Sequence, residues 1–290
     1  APYHEPCIDD TGKRLTAGVV GNFFSGESKK GLSFTGASPF NAERPRTYKG
    51  ANIQFDAVFN KAGYHYPQER ILTLWEDAMP VITKQKPPEP LVMRMNTFDC
   101  TMYQHTNLIP EYFEYDDFQV RTPTDIIGQH IHLPKWDLTA ADGSANGWNY
   151  EDGTLSPGAV RERIHAINVY NAARVAAGVA PVATLDGRTT LQARPHPYFG
   201  QFGREDWVGA RTTLQRWFAD PVVNIKGEDR GLGNIFTHDH FGPSTHQQVG
   251  LYGTVLTEPA GSVWRHAETG ELLYDTSRRQ DGGPTSWQAI

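Results

Sequence analysis

LVMRMNTFDCTMYQHTNLIP, residues 91–110, decides the fold class. Leu91, Met93 and Met95 alternate with Val92, Arg94 and Asn96, a period of two that marks a strand with one face in a core. CTMYQHTNLIP continues as a second strand that ends in a turn. Outward from here the same kind of pattern recurs in DIIGQHIHL (125–133), GNIFTHDHF (233–241) and GLYGTVLTEPAGSVW (250–264). With 28 glycines and 20 prolines the chain reads as turn-rich and mainly β.

One helix interrupts this pattern. Ser156 and Pro157 suit its N-cap and first position, and Gly178 suits its stop. Val160, Ile164, Ile167 and Val175 fall on one stripe at helical spacing, which predicts a single buried face with His165 off it. A polar loop, TAADGSANGWNYEDGT (139–154), precedes it.

On the N-terminal side, residues 1–50 keep no period for long: GVVGNFF (18–24) reads as a short strand and the remainder as extended covering segments. QERILTLWEDAM (68–79) predicts a short helix. KQKPPEP (84–90) reads as a linker, because consecutive prolines favour extended chain. The expected division is residues 1–87 as an extended N-terminal region or part of a neighbouring domain, and residues 88–290 as the main domain, with no internal repeat.

The 290 residues bound these readings, since roughly 150 residues per domain implies two domains or one with long insertions. A net charge of −6 offers no basic footprint for nucleic acid or an anionic membrane. No stretch approaches the roughly 20 apolar residues that span a bilayer. APYHEPCIDD, at the start, has no charged and apolar leader pattern, so no signal peptide is expected in this sequence; a mature N-terminus after cleavage fits equally. DGGPTSWQAI (281–290) runs into a strand and stops, which suggests a larger polypeptide or assembly. Two readings stand for Cys7 and Cys100: one bridge in an oxidising compartment, or two ordinary thiols.

The chemistry centres on two His-x-His pairs, His130/His132 and His238/His240. Residues i and i+2 of a strand share a face and lie roughly 6.5–7 Å apart. That spacing suits ligands to two neighbouring metal ions, and imidazole serves copper, zinc, iron and nickel. Ile131 points the other way, toward a core. A lone pair of this kind reads as polar histidines on a wet sheet face; two pairs, each in an apolar strand, favour a metal site. THDH (237–240) also resembles the opening of metallo-β-lactamase-like zinc hydrolases, but Phe241 and Gly242 stand where that motif has Asp and His.

PEPLVMRMNTFDCTMYQHTNLIP (88–110), GQHIHL (128–133), ARTTLQRWFADP (210–221) and THDHFGPSTHQQVGLYGTVLTEPAGS (237–262) together resemble the multicopper oxidases. The resemblance covers roughly residues 88–265, with a long insertion at about 138–205. DGSANGWNYEDG (142–153) is similar to the large bacterial members, some of which oxidise manganese.

The resemblance implies a cupredoxin-like Greek-key β-sandwich and a trinuclear copper cluster between two cupredoxin domains. Four His-x-His motifs ligate that cluster, where dioxygen is reduced to water with electrons from a cysteine-ligated copper. His130, His132, His238 and His240 would be half of the ligands, and His246 sits where a further ligand or a glutamine falls. The missing motifs would come from another cupredoxin domain or chain. Asp239 stands where the family's C-terminal domain has cysteine, so no blue copper is expected in this chain.

The reducing substrate would be Mn²⁺, Fe²⁺, Cu⁺ or a small organic donor, in the periplasm or outside the cell. The carboxylates of PEYFEYDDF (110–118) and NYEDG (149–153) suit such cations, or a solvated face. Asp137, Asp142 and Asp152 fail the spacing of a calcium loop. His65 and His196 read as structural, and His105, alternating with Tyr103 on a strand, as a packing or surface residue. The alternative function is a non-catalytic copper-binding module, with a zinc-dependent hydrolase third.

Overall fold

The computed structural model describes residues 5–9, 11–15, 17–20, 32–35, 38–89, 91–109, 114–117, 120–123, 126–144, 154–155, 157–182, 187–195, 212–226, 228–242 and 246–273. In chain order the elements are β1 (Ala17–Val20), β2 (Leu32–Thr35), β3 (Arg46–Val58), β4 (His65–Leu74), α1 (Trp75–Ile82), β5 (Val92–Asn96), β6 (Cys100–Asn107), β7 (Glu114–Asp117), β8 (Val120–Pro123), β9 (Gln129–Ile131), α2 (Leu138–Ala141), α3 (Pro157–Ala176), β10 (Thr212–Phe218), β11 (Gly233–Asp239) and β12 (Tyr252–Glu258). Two four-stranded sheets, ordered β10-β6-β3-β4 and β5-β12-β11-β9, carry the architecture. β1 pairs with β2, and β7 with β8, in separate two-stranded sheets.

Alternation along the strands explains why the sheets pack together. Leu91, Met93 and Met95 are buried as their spacing predicts, and they meet Tyr48, Leu72, Tyr103, Trp217, Ile235, Leu251 and Val255 in one shared core. β3 runs parallel to β6, and β5 parallel to β12. Parallel neighbours need crossover connections, and the chain supplies them by passing between the sheets. The Tyr48 hydroxyl joins the layers, donating to the Arg94 carbonyl at 2.8 Å and accepting from the Arg94 N–H at 2.9 Å. This is the mainly β, two-sheet sandwich expected.

The N-terminal side departs from the extended region expected there. β3 pairs with β6 over seven positions, Arg46↔Thr101 to Asn52↔Asn107, so strands on both sides of residues 84–90 share one sheet. The division at 87/88 falls inside this sandwich, and the proline-rich segment is a connection between α1 and β5. The short helix expected over 68–79 begins only at Trp75, as α1, and residues 68–74 belong to β4; pairing with β3 and burial of Arg70 and Leu72 override the local helical pattern there.

The stretch 138–205 lies between β9 and β10 and contains α2 and α3. Gly178 closes α3 in the left-handed conformation its position predicts, with φ +73°. Val160 is buried and Ile164 partly so, packed with Ile126 and Leu155, but Val175 is 52% exposed. The C-terminal part of the helix thus leaves the core that its stripe predicts for it. His165 is exposed, as expected. Of the two cysteine readings the bridge is formed: Cys7 and Cys100 make a disulfide. Residues 145–153, 196–211 and 274–290 lie outside the described residues, and with them NYEDG, His196 and the strand expected at the C-terminal end. For PEYFEYDDF only the backbone of Glu114–Asp117 is described, as β7.

Candidate metal centre

β9 and β11 are antiparallel neighbours in the register Thr237↔Ile131, His238↔His130 and Asp239↔Gln129. Strand alternation sends Gln129, Ile131, Thr237 and Asp239 inward, where all are buried. His130, His132 and His238 therefore share the outer face, and His240 follows at the end of β11. The register brings both predicted pairs together. Ring centroids are 4.2 Å apart for His130 and His240, 4.9 Å for His130 and His132, and 5.2 Å for His132 and His238.

On three of these rings Nδ1 is already engaged. His130 Nδ1 lies 2.8 Å from the Asp142 carbonyl oxygen. His240 Nδ1 lies 3.2 Å from the same carbonyl and 3.1 Å from Asp142 Oδ2. His238 Nδ1 lies 2.6 Å from the Asp239 carbonyl, which Gln247 Nε2 also reaches at 2.6 Å. A ring that donates from Nδ1 is fixed in the tautomer whose Nε2 carries a lone pair, the usual preparation of a histidine ligand. At the centre, His132 Nε2 and His238 Nε2 stand 3.0 Å apart.

Among the described residues, two overlapping sets built from these histidines are compact enough to hold an ion. The ligand atoms of His130, His132 and His238 lie within 4.8 Å of one another, and so do those of His130, Asp142 and His240. Burial, with the neighbouring imidazoles adding to it, holds His130 and His238 below the usual histidine pKa. Both are thereby kept neutral at neutral pH, the form that binds metal.

Two glycines bring Asp142 to this place. The backbones of Gly128 and Gly143 cross so closely that a Cβ on Gly128 would collide with the Gly143 carbonyl. Gly143 has φ +87°, and a Cβ on it would lie 2.6 Å from the Gln129 carbonyl carbon. Beyond His132 the chain turns through Leu133, whose φ is +72°.

His246 stands apart from these donor sets. It is buried, with Nδ1 2.9 Å from Asp239 Oδ2, and its Nε2 has no hydrogen-bond partner among the described residues. His105 is also buried, stacked on Tyr103, with both ring nitrogens unpartnered among the described residues. His65 is exposed and pairs with Asp56 at 2.7 Å. Asp142 and Gln247 were not among the site residues read from sequence. The signal available for Asp142 was its glycine neighbour, Gly143, matched by Gly128 just before the first His-x-His pair.

Fold and site together define a class: a two-sheet β-sandwich with four imidazoles on the outer face of two adjacent strands. No family model matches the chain, and no curated protein sequence does. Among solved structures, a multi-copper oxidase from Pseudomonas Thermotolerans overlaps with TM-score 0.36 and 10% identity, covering 79% of this chain and 36% of that one. The multicopper oxidase mgLAC overlaps with TM-score 0.32 and 10% identity, covering 75% and 40%. The chain thus spans about two fifths or less of the length of these two proteins.

Proposed function

We propose that the chain is part of a copper-dependent oxidase, and that His130, His132, His238 and His240 are half the ligands of a trinuclear copper cluster. One observation carries this reading. The four imidazoles converge on one face, and His130, His238 and His240 have Nδ1 engaged and Nε2 left for a metal. The donor set fits copper, for which imidazole is a suitable ligand. Copper held there would supply the one-electron chemistry that reduces dioxygen to water while Mn²⁺, Fe²⁺, Cu⁺ or a small organic donor is oxidised. The chain's own residues orient the ring nitrogens and keep His130 and His238 neutral.

The remaining ligands belong to another cupredoxin domain or chain. Around the histidines the outer face exposes Phe236, Tyr252 and Leu133, and Phe236 stacks on His132 at 4.1 Å. A half-exposed apolar rim around polar ligands is the kind of surface a second domain covers. The disulfide supports a periplasmic or extracellular setting.

The same disulfide favours a second reading, a copper-binding module that does no chemistry alone. It occupies both cysteines, so the chain has no thiolate for an electron-relaying copper. A zinc hydrolase fits less well, because Phe241 and Gly242 offer no ligand or base beside His240.

The test is metal analysis, optical spectroscopy and oxygen uptake on the full chain loaded with Cu(II). Bound copper without intense blue absorption is expected, and oxygen uptake should require a completing domain or chain. Failure to bind copper would contradict the metal assignment. Oxygen uptake by the chain alone would contradict a shared cluster.

A further inference from the structure

We propose that Asp239 is a positioning residue for the metal centre, and that His246, which lies outside both compact donor sets, serves it as a hydrogen-bond donor. This inference rests on the copper-site reading and adds to it the device that fixes the spacing between the two His-x-His strands.

Asp239 lies between His238 and His240, yet its side chain points to the opposite side of the sheet and is fully buried. A carboxylate in that position must be met by donors, since an unpaired buried charge is costly. Three meet it. Oδ1 accepts from the Gly128 N–H at 2.9 Å, and Oδ2 accepts from the Gly242 N–H at 2.7 Å and from His246 Nδ1 at 2.9 Å. Hydrogen bonds to a charged acceptor are shorter and stronger than neutral ones.

The donors stand where they control the site. Gly128 immediately precedes β9, two residues before His130, and Gly242 follows His240 by two. Gly128 is held a second time, because its carbonyl accepts from the His240 N–H at 2.7 Å. One interior carboxylate thus ties the entry to the first pair and the exit from the second. His130 and His240, whose rings are 4.2 Å apart, are the imidazoles whose separation it sets. His246 completes the set from the segment beyond the second pair. Its Nδ1 is aimed at Asp239, and it belongs to neither compact donor set.

Cu(II) affinity by competition titration, and the electron paramagnetic resonance spectrum of bound Cu(II), test this on the full chain. Asp239→Asn sets an amide NH₂ against a backbone N–H. It should weaken Cu(II) binding about 10–100-fold, the cost of losing support behind a metal ligand, and alter the copper hyperfine pattern while the fold persists. His246→Gln retains a donor for Oδ2 and should stay within about threefold of the parent affinity, with the parent spectrum, whereas His246→Ala should follow Asp239→Asn. His130→Ala serves as the control for the copper reading itself.

Parent-like affinity and spectrum in Asp239→Asn, with copper binding lost in His130→Ala, would overturn the positioning role alone. Parent-like copper binding in His130→Ala would overturn the copper reading beneath it. Loss of copper in His246→Gln would make His246 a ligand and overturn its assignment as a donor. Should Asp239→Asn not fold, the contrast between His246→Gln and His246→Ala decides: equal affinities and spectra would overturn the proposal.

Discussion

His132 and His238 meet nitrogen to nitrogen, with their Nε2 atoms 3.0 Å apart across the β9–β11 pair. Two lone-pair nitrogens at that separation repel unless a proton or a metal ion lies between or beside them. His238 Nδ1 is turned to the Asp239 carbonyl at 2.6 Å, so Nε2 is the nitrogen this ring presents. The separation fits an N–H···N hydrogen bond between the rings, and in the proposed copper site it is the place where an ion would take the proton's part.

Removing either member should cost more than its own share of bound metal. If the four imidazoles share neighbouring ions, His132→Ala or His238→Ala disturbs positions that the other three help to form. Copper per chain, measured after dialysis, should fall by more than one quarter in each variant. Full loading of both would leave the histidines as polar residues on a wet sheet face.

Acid should release the metal only below the ordinary histidine range. Burial and neighbouring imidazoles hold His130 and His238 below the usual value of 6.5, so protons compete for these nitrogens late in an acid titration. Copper retained by the chain, followed by equilibrium dialysis, should stay constant from about pH 7.5 to about 6.5 and decline further down. Half-release at or above about pH 7 would contradict the environment described for these rings.

His105 should make the fold itself acid-sensitive. Burial pushes its pKa from 6.5 to about 4. The unfolded chain therefore takes up this proton first, and stability is fully present above about pH 6.5 and lost as pH falls toward 4, with a slope of up to about 1.4 kcal/mol per unit. Urea unfolding at several pH values should show this slope in the parent and a flatter one in His105→Leu. An unchanged slope in the variant would remove His105 from the account.

Ile131 should separate stability from ligation. Its side chain is completely buried between two outward-facing histidines. Ile131→Ala should destabilise the fold by about 2–5 kcal/mol, as buried large-to-small changes do. The folded fraction should still take up the parent amount of copper. Thermal melts and metal analysis on the same samples read both effects.

The parts of this arrangement that were legible in the sequence are the ones with a local period. Leu91, Met93 and Met95 announced a core-facing strand, and the spacing of His130, Ile131 and His132 announced which side each would take. Non-local parts carried no such mark. β4 was hidden because residues 68–79 look helical until β3 is placed beside them, although ANIQFDA (51–57) in β3 does alternate apolar and polar residues. The bonds from Asp142 to His240 and from Asp239 to Gly128 join residues 98 and 111 positions apart, distances over which no periodicity reports. The same holds for the bridge: two cysteines 93 residues apart are compatible with pairing or with free thiols until the N-terminal segment is seen beside the start of β6.

Anomalous diffraction at the copper edge, from crystals of the full chain loaded with Cu(II), tests the central claim most directly. Anomalous peaks are expected on the outer face of β9 and β11, within bonding distance of Nε2 of His130, His238 and His240 and of a His132 ring nitrogen. Copper bound elsewhere, or no copper peak beside these four imidazoles, would contradict it.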